Sequence, residues 1–214
     1  MRWIALLMLT ATLARAEGET VGAFDYYVLA LSWSPTWCAL EGDRHNSPQC
    51  DAEAGHGWIL HGLWPQFERG WPSDCPTPHP NPSRQQTEAM IDIMGSSGLA
   101  WYQWRKHGRC SGMDAPAYFD AARRAYTAVN RPDVFRKLRG SVRLPAAVVE
   151  EAFLQANPDW RADMVTITCK AGRIQEARLC LTRDFEPRLC GEDVVRDCPL
   201  QDALMAPIRS GGAF

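Results

Sequence analysis

The hydrophobic pattern runs from strand-like to helical and back to strand-like along the chain. Residues 24–33, Phe-Asp-Tyr-Tyr-Val-Leu-Ala-Leu-Ser-Trp, are aromatic or apolar on both alternating faces, which predicts a strand covered on both sides and ended by Pro35. From Ser34 to Pro82 prolines, glycines and cysteines predict loops, interrupted by one apolar run, Trp58 to Trp64, that predicts a second strand. Helices are expected over 84–94, stopped by Gly95, and over 99–107, stopped by Gly108. Two more are expected over 115–129, opened by Asp114 as N-cap with Pro116 in the first turn, and over 146–156, stopped before Pro158. Strand character returns in 164–169 and 174–181, separated by a turn at Lys170 to Arg173. Strands at both ends with helices between them predict an α+β fold: a single domain with a central antiparallel sheet and several helices.

Composition narrows this picture. A chain of 214 residues, 46% hydrophobic, buries one sizeable core and does not require two domains. Residues 1–16 read as a secretory signal: Arg2, an apolar run from Trp3 to Leu13, and Ala14-Arg15-Ala16 as the cleavage site. The mature domain is then 17–214, soluble, periplasmic or secreted, with no membrane partner, and works as a monomer. All eight cysteines (38, 50, 75, 110, 169, 180, 190, 198) lie beyond the signal, and an even count in an exported chain predicts disulfide-stapled loops. No close Cys-x2-Cys arrangement favours zinc, and no metal or other cofactor is expected. Removing Arg2 and Arg15 leaves 21 of 23 basic residues against 25 acidic ones, so a broad basic surface for DNA or RNA is excluded and any nucleic acid must be gripped locally.

Candidate chemistry lies in two segments. His61 follows Trp58-Ile59-Leu60 and precedes Gly62-Leu63-Trp64-Pro65, which puts a titratable ring at a strand end beside an aromatic able to stack on a base. His107 ends a short helix on which Gln103, Lys106 and His107 are expected to point together, while Trp101 and Trp104 anchor it to the core. The helix dipole favours a charged His107 and Lys106 opposes it, which suits a base neutral at working pH. Two histidines and a lysine are the set that phosphodiester cleavage by a ribose 2′-hydroxyl requires: a base, an acid, and a cation for the charge building on phosphorus oxygens. A bridge from Cys75 to Cys110 would tie the two segments together. His45, His56 and His79 receive no role. His79, in the loop from Pro76 to Pro82, is expected to be solvated, and His56 is a loop residue able to line the site.

From Tyr27 onward the chain resembles the ribonuclease T2 family of exported, metal-independent endoribonucleases. His61-Gly-Leu-Trp-Pro65 is similar to its first active-site segment and Trp104-Arg-Lys-His-Gly-Arg-Cys110 to its second, with a Trp-x-Pro-x-x-Cys run, Trp33 to Cys38, upstream. The resemblance implies an α+β fold and cleavage of single-stranded RNA through a 2′,3′-cyclic phosphate to 3′-phosphate ends. It implies His107 as general base, His61 as general acid, Lys106 as stabiliser of the phosphorane and Trp64 as a base platform. It also implies the disulfides Cys75–Cys110, Cys169–Cys198 and Cys180–Cys190, which leaves Cys38 for Cys50. The chain departs from the pattern at three places: Tyr102 stands where the family carries a histidine thought to contact phosphate, Gln103 replaces the acidic member of the site, and Gln66 stands where many relatives carry a base-reading aspartate. Glutamine can donate its amide hydrogens to a phosphoryl oxygen, so activity is expected to survive. The alternative is a catalytically weak or inactive secreted RNA-binding or interaction protein of the same fold, against which the retention of His61, Lys106 and His107 weighs. A metal-dependent hydrolase lacks any His-Glu-x-x-His or comparable ligand spacing.

Overall fold

The computed structural model describes residues 20–210, so the expected signal over 1–16 lies outside the described residues. β1 (Tyr26–Trp33) is buried at all eight positions, as a strand apolar on both faces requires. Tyr27, Leu29, Leu31 and Trp33 enter the main core, whereas Tyr26 and Val28 pack on the other face with Cys180 and Val194. β2 (Trp58–Gln66) and β5 (Arg173–Leu181) pair antiparallel with the two sides of β1, and β4 (Val165–Lys170) pairs antiparallel with β5. Two short strands that the pattern does not predict, β3 (Val142–Leu144) and β6 (Ala203–Met205), pair with each other. β6 meets β5 at one parallel bridge, Arg173 with Leu204, so the α+β domain carries a sheet that is antiparallel at its centre and mixed at its margin.

Pro35 ends β1 but opens a helix rather than a loop: α1 (Ser34–Leu40) takes the proline into its first turn, where its missing N–H has no intrahelical partner to lose. The expected helix over 84–94 is two, α2 (Arg84–Glu88) and α3 (Ile91–Met94). They separate at Ala89, whose carbonyl accepts from the Arg123 guanidinium at 2.8 Å instead of continuing the helical ladder. α4 (Ser97–Lys106) starts earlier than its periodicity suggests because the Ser96 hydroxyl caps Leu99 N at 3.1 Å. α5 (Ala115–Ala128) is capped by Asp114 as expected, and α6 (Ala146–Ala156) ends as expected.

One side-chain expectation fails on α4. Trp104 is fully buried, but Trp101 is 39% exposed with the Arg105 guanidinium 5.4 Å above its ring. The buried stripe is Ala100, Gln103, Trp104 and His107, the i, i+3, i+4, i+7 face of a helix, and residue 101 lies off it. The eight cysteines form the bridges Cys38–Cys50, Cys75–Cys110, Cys169–Cys198 and Cys180–Cys190, the pairs that the resemblance implies. No helix among the described residues is long and apolar enough to cross a membrane.

Candidate active site

His61 owes its position to a break in strand register. Leu31 pairs with Leu60 and Ala30 with Gly62, which leaves His61 as the extra residue of a bulge in β2. In a regular strand residues three apart point to opposite faces. Here the bulge shifts the phase, so Leu60 and Leu63 both enter the core while His61 and Trp64 meet on the other side with ring centroids 5.2 Å apart. Cross-strand partners share a face, so Ala30 and Gly62 form the floor beside Arg178. Gly62 has no substitute there: a Cβ would lie 2.3 Å from both Gln103 Oε1 and Trp64 Nε1.

α4 supplies the second wall. Tyr102, Gln103, Lys106 and His107 line one cavity of about 290 Å³ together with His61, Trp64, Gln66, Trp71, Arg178, Asp193 and Val194. His107 caps the helix, its N–H donating to Gln103 O at 2.9 Å. Behind it, Gly108 is required for close packing rather than for a left-handed turn, since a Cβ would stand 2.7–2.8 Å from the rings of Trp104 and Tyr118. The helix end is tied to the 67–83 loop by Cys75–Cys110 and by Asp74 N, which donates to the Lys106 carbonyl at 2.8 Å.

Trp64 stands between the two histidines. Its indole stacks on His107 at 5.3 Å and 29°, meets His61 edge-on at 80°, and donates Nε1–H to Gln103 Oε1 at 2.8 Å. Protein partners thus occupy much of the ring expected to carry a base. Tyr102, under the Lys106 ammonium at 5.8 Å, and Trp71, 54% exposed, are the more open aromatics of this cavity. Gln66 is buried with Oε1 unpartnered, and on the same wall Asp193 holds Gly70 N through one carboxylate oxygen while its other oxygen is buried and unpartnered.

The sequence reading missed Glu176 and Arg178. Glu176 is buried on β5 with its side chain 3% exposed; one oxygen lies 2.5 Å from His61 Nδ1 and the other accepts from Arg178 Nε and Nη2 at 3.1 and 2.9 Å. Arg178 also lies 5.5 Å over the Trp64 ring. Their signal in the sequence is two opposite charges, two residues apart and hence on one face, flanked in the strand by the apolar residues Ile174, Ala177 and Leu179.

Electrostatics separate the histidines. Burial, then the charges of Lys106 and His61, push His107 down to about 3, so its ring is a neutral acceptor across the working range. Burial outweighs the helix dipole that sequence reasoning weighed against Lys106. For Glu176, burial opposes ionisation, but the hydrogen bond and charge of His61 together with Arg178 outweigh it and hold the carboxyl below the usual range. A second cavity of about 260 Å³, lined by residues including Thr36, Gln49, Ile59, Leu99 and Lys170, opens on the other side of His61 and Glu176. His45 is exposed, His79 is half-buried in its proline-rich loop, and His56 is half-buried, pushed down by burial, and lines neither cavity.

Fold and pocket together define a disulfide-braced α+β protein whose cavity brings two histidines and a lysine together. The chain belongs to the ribonuclease T2 family, whose model matches residues 24–190. It is 45% identical over 100 residues to a ribonuclease of Aeromonas hydrophila, covering 46% of this chain and 43% of that protein. It is 30% identical over 121 residues to a probable ribonuclease of Haemophilus influenzae, covering 51% and 44%. The matched stretch thus spans less than half the length of these two relatives. The fold is similar to an RNase-related protein from Calystegia sepium, with a TM-score of 0.63 at 19% identity over 87% of this chain and 98% of that one. It is also similar to RNase NT in complex with 5′-AMP, with a TM-score of 0.52 at 18% identity over 88% and 98%.

Proposed function

We propose that the mature chain, residues 17–214, is a metal-independent endoribonuclease. It cleaves single-stranded RNA by attack of a ribose 2′-hydroxyl on the adjacent phosphorus, giving a 2′,3′-cyclic phosphate and then a 3′-phosphate. The observation that carries this reading is the pair of histidines on either side of one indole, at the rim of a cavity that also holds Lys106. His107, held neutral, takes the 2′-hydroxyl proton; His61 protonates the departing 5′-oxygen; Lys106 meets the charge on the non-bridging oxygens. Proton transfer and one cation supply the chemistry, so a metal is not required. Family membership supports the reading.

The two cavities that share His61 suit the nucleotides on either side of the scissile phosphate. In the larger one, Trp71 offers an open stacking face, Tyr102 lies at the phosphate side near Lys106, and Gln66 lines the same cavity. The four disulfides favour an oxidising compartment, periplasmic or extracellular, reached through a leader cleaved after Ala16.

The test is incubation of purified protein with single-stranded RNA and with DNA in EDTA, comparing wild type with His61→Ala and His107→Ala. RNA alone is cut, and each variant loses on the order of 10²- to 10⁴-fold in rate. Loss of wild-type activity in EDTA, cleavage of DNA, or full activity in either variant overturns the mechanism.

A further inference from the structure

We propose that Glu176 is a positioning residue for His61: it fixes the hydrogen on Nδ1 and so dedicates Nε2 to carrying the proton given to the leaving group. The proposal rests on the phosphodiester-cleaving reading of the pocket and adds a residue that the two active-site segments do not contain.

The geometry leaves little freedom. A carboxylate this deeply buried is tolerated only when paired and hydrogen-bonded. Arg178 takes one oxygen through two N–H groups, which leaves the other for His61 Nδ1. An ionised carboxylate accepts and cannot donate, so Nδ1 must bear the hydrogen. In the neutral ring Nε2 then holds the lone pair, and in the charged ring Nε2–H is the transferable proton. The same logic lets a buried carboxylate orient the histidine of a serine-protease triad.

The charges around the ring agree. From β5, His61 faces Glu176 and Arg178; from α4 it faces Lys106 and His107. Lys170 and Glu41, paired at 3.5 Å, line the cavity on its far side. Glu176 alone among these is both anionic and in contact with the ring. Where Gln103 leaves the helix side of the pocket without a carboxylate, β5 brings one to the opposite histidine. The carboxylate in contact with a histidine thus lies beside the proposed acid, not beside the proposed base.

The experiment compares wild type, Glu176→Gln and Glu176→Asp in EDTA. It uses pH profiles of kcat/KM on a short single-stranded RNA, and long-range ¹H–¹⁵N NMR of the His61 ring in the RNA-free protein. The neutral wild-type ring is expected as the Nδ1–H tautomer. In Glu176→Gln, kcat falls at least ~10-fold with KM nearly unchanged and the tautomers mix; Glu176→Asp recovers part of the rate. An Nε2–H tautomer in the neutral wild type overturns the proposal even if the variants do not fold. So does a folded Glu176→Gln that keeps the pure Nδ1–H tautomer and the wild-type kcat. A wild type that shows the Nδ1–H tautomer but cuts no RNA instead sinks the parent reading and leaves the Glu176 contact standing.

Discussion

His61 stands on a sheet and His107 at the end of a helix, and the two rings face the same indole from different electrical surroundings. His61 has its Nδ1 bound to a buried carboxylate and remains partly open, its side chain 32% exposed. His107 is buried, is acted on only by positive charge, and among the described residues its Nδ1 has no hydrogen-bond partner. One ring meets a carboxylate, and the other is buried among positive charges that favour its neutral form. The comparison teaches that acid and base roles need not be set by the histidines' immediate sequence neighbours. In the proposed mechanism a carboxylate on β5 and the depth of burial decide them.

The largest expected effect comes from removing both sides at once. If the two rings act as one unit, His61→Ala/His107→Ala is about as slow as the slower single variant, because removing either already disables the concerted proton transfers. Independent multiplication of the two losses in RNA-cleavage kinetics would show that the rings do not work together.

Gly62→Ala strikes the contact that joins the two environments. Its methyl group must displace Gln103 or Trp64, at a stability cost of about 1–3 kcal/mol for overpacking and a loss of activity of roughly 10-fold or more as the indole shifts. Wild-type activity in this variant would mean that the Trp64–Gln103 contact does not organise the site.

Gln103→Glu makes the two sides more alike. The new side chain can still accept from Trp64 Nε1, and its negative charge opposes the burial that holds His107 down. The acid limb of the pH–rate profile is expected at lower pH in wild type than in Gln103→Glu, by about one unit or more, with the alkaline limb in place. Identical acid limbs would mean that residue 103 does not govern His107.

The smallest effect is on stability. Between the ordinary histidine value of 6.5 and about 3, the unfolded chain binds a proton at residue 107 that the folded chain excludes, so the fold loses stability as pH falls through that window. Glu176, whose folded value is lowered, adds stability above the usual carboxylate range that is lost on further acidification, a change of the same sign. Thermal melts of wild type and His107→Gln at neutral and acid pH should show the variant losing less Tm on acidification. An equal loss in both would assign acid sensitivity elsewhere.

The parts of this molecule that local pattern reports were legible in its sequence. The apolar run of β1 announced a strand buried on both faces, Asp114 and Pro116 announced a helix start, and the segments around His61 and His107 named all four residues of the α4 wall, Tyr102, Gln103, Lys106 and His107. Pro35 was read as a stop alone because a proline that ends a strand looks the same as one that opens a helix. Trp101 was read as core because two tryptophans three apart look like one face, and only the packed stripe through residues 100, 103, 104 and 107 shows which of them is inside.

The sequence by itself determined which residues are candidates for proton chemistry, since spacing along a strand or helix depends on neighbours a few residues away. Tertiary structure decided how those residues differ. The bulge that turns His61 toward Trp64 exists only in the pairing of β2 with β1. Glu176 meets His61 across 115 residues of chain, through the order β2–β1–β5. The neutrality of His107 comes from burial, and burial is a sum over the whole packed domain that no local pattern contains.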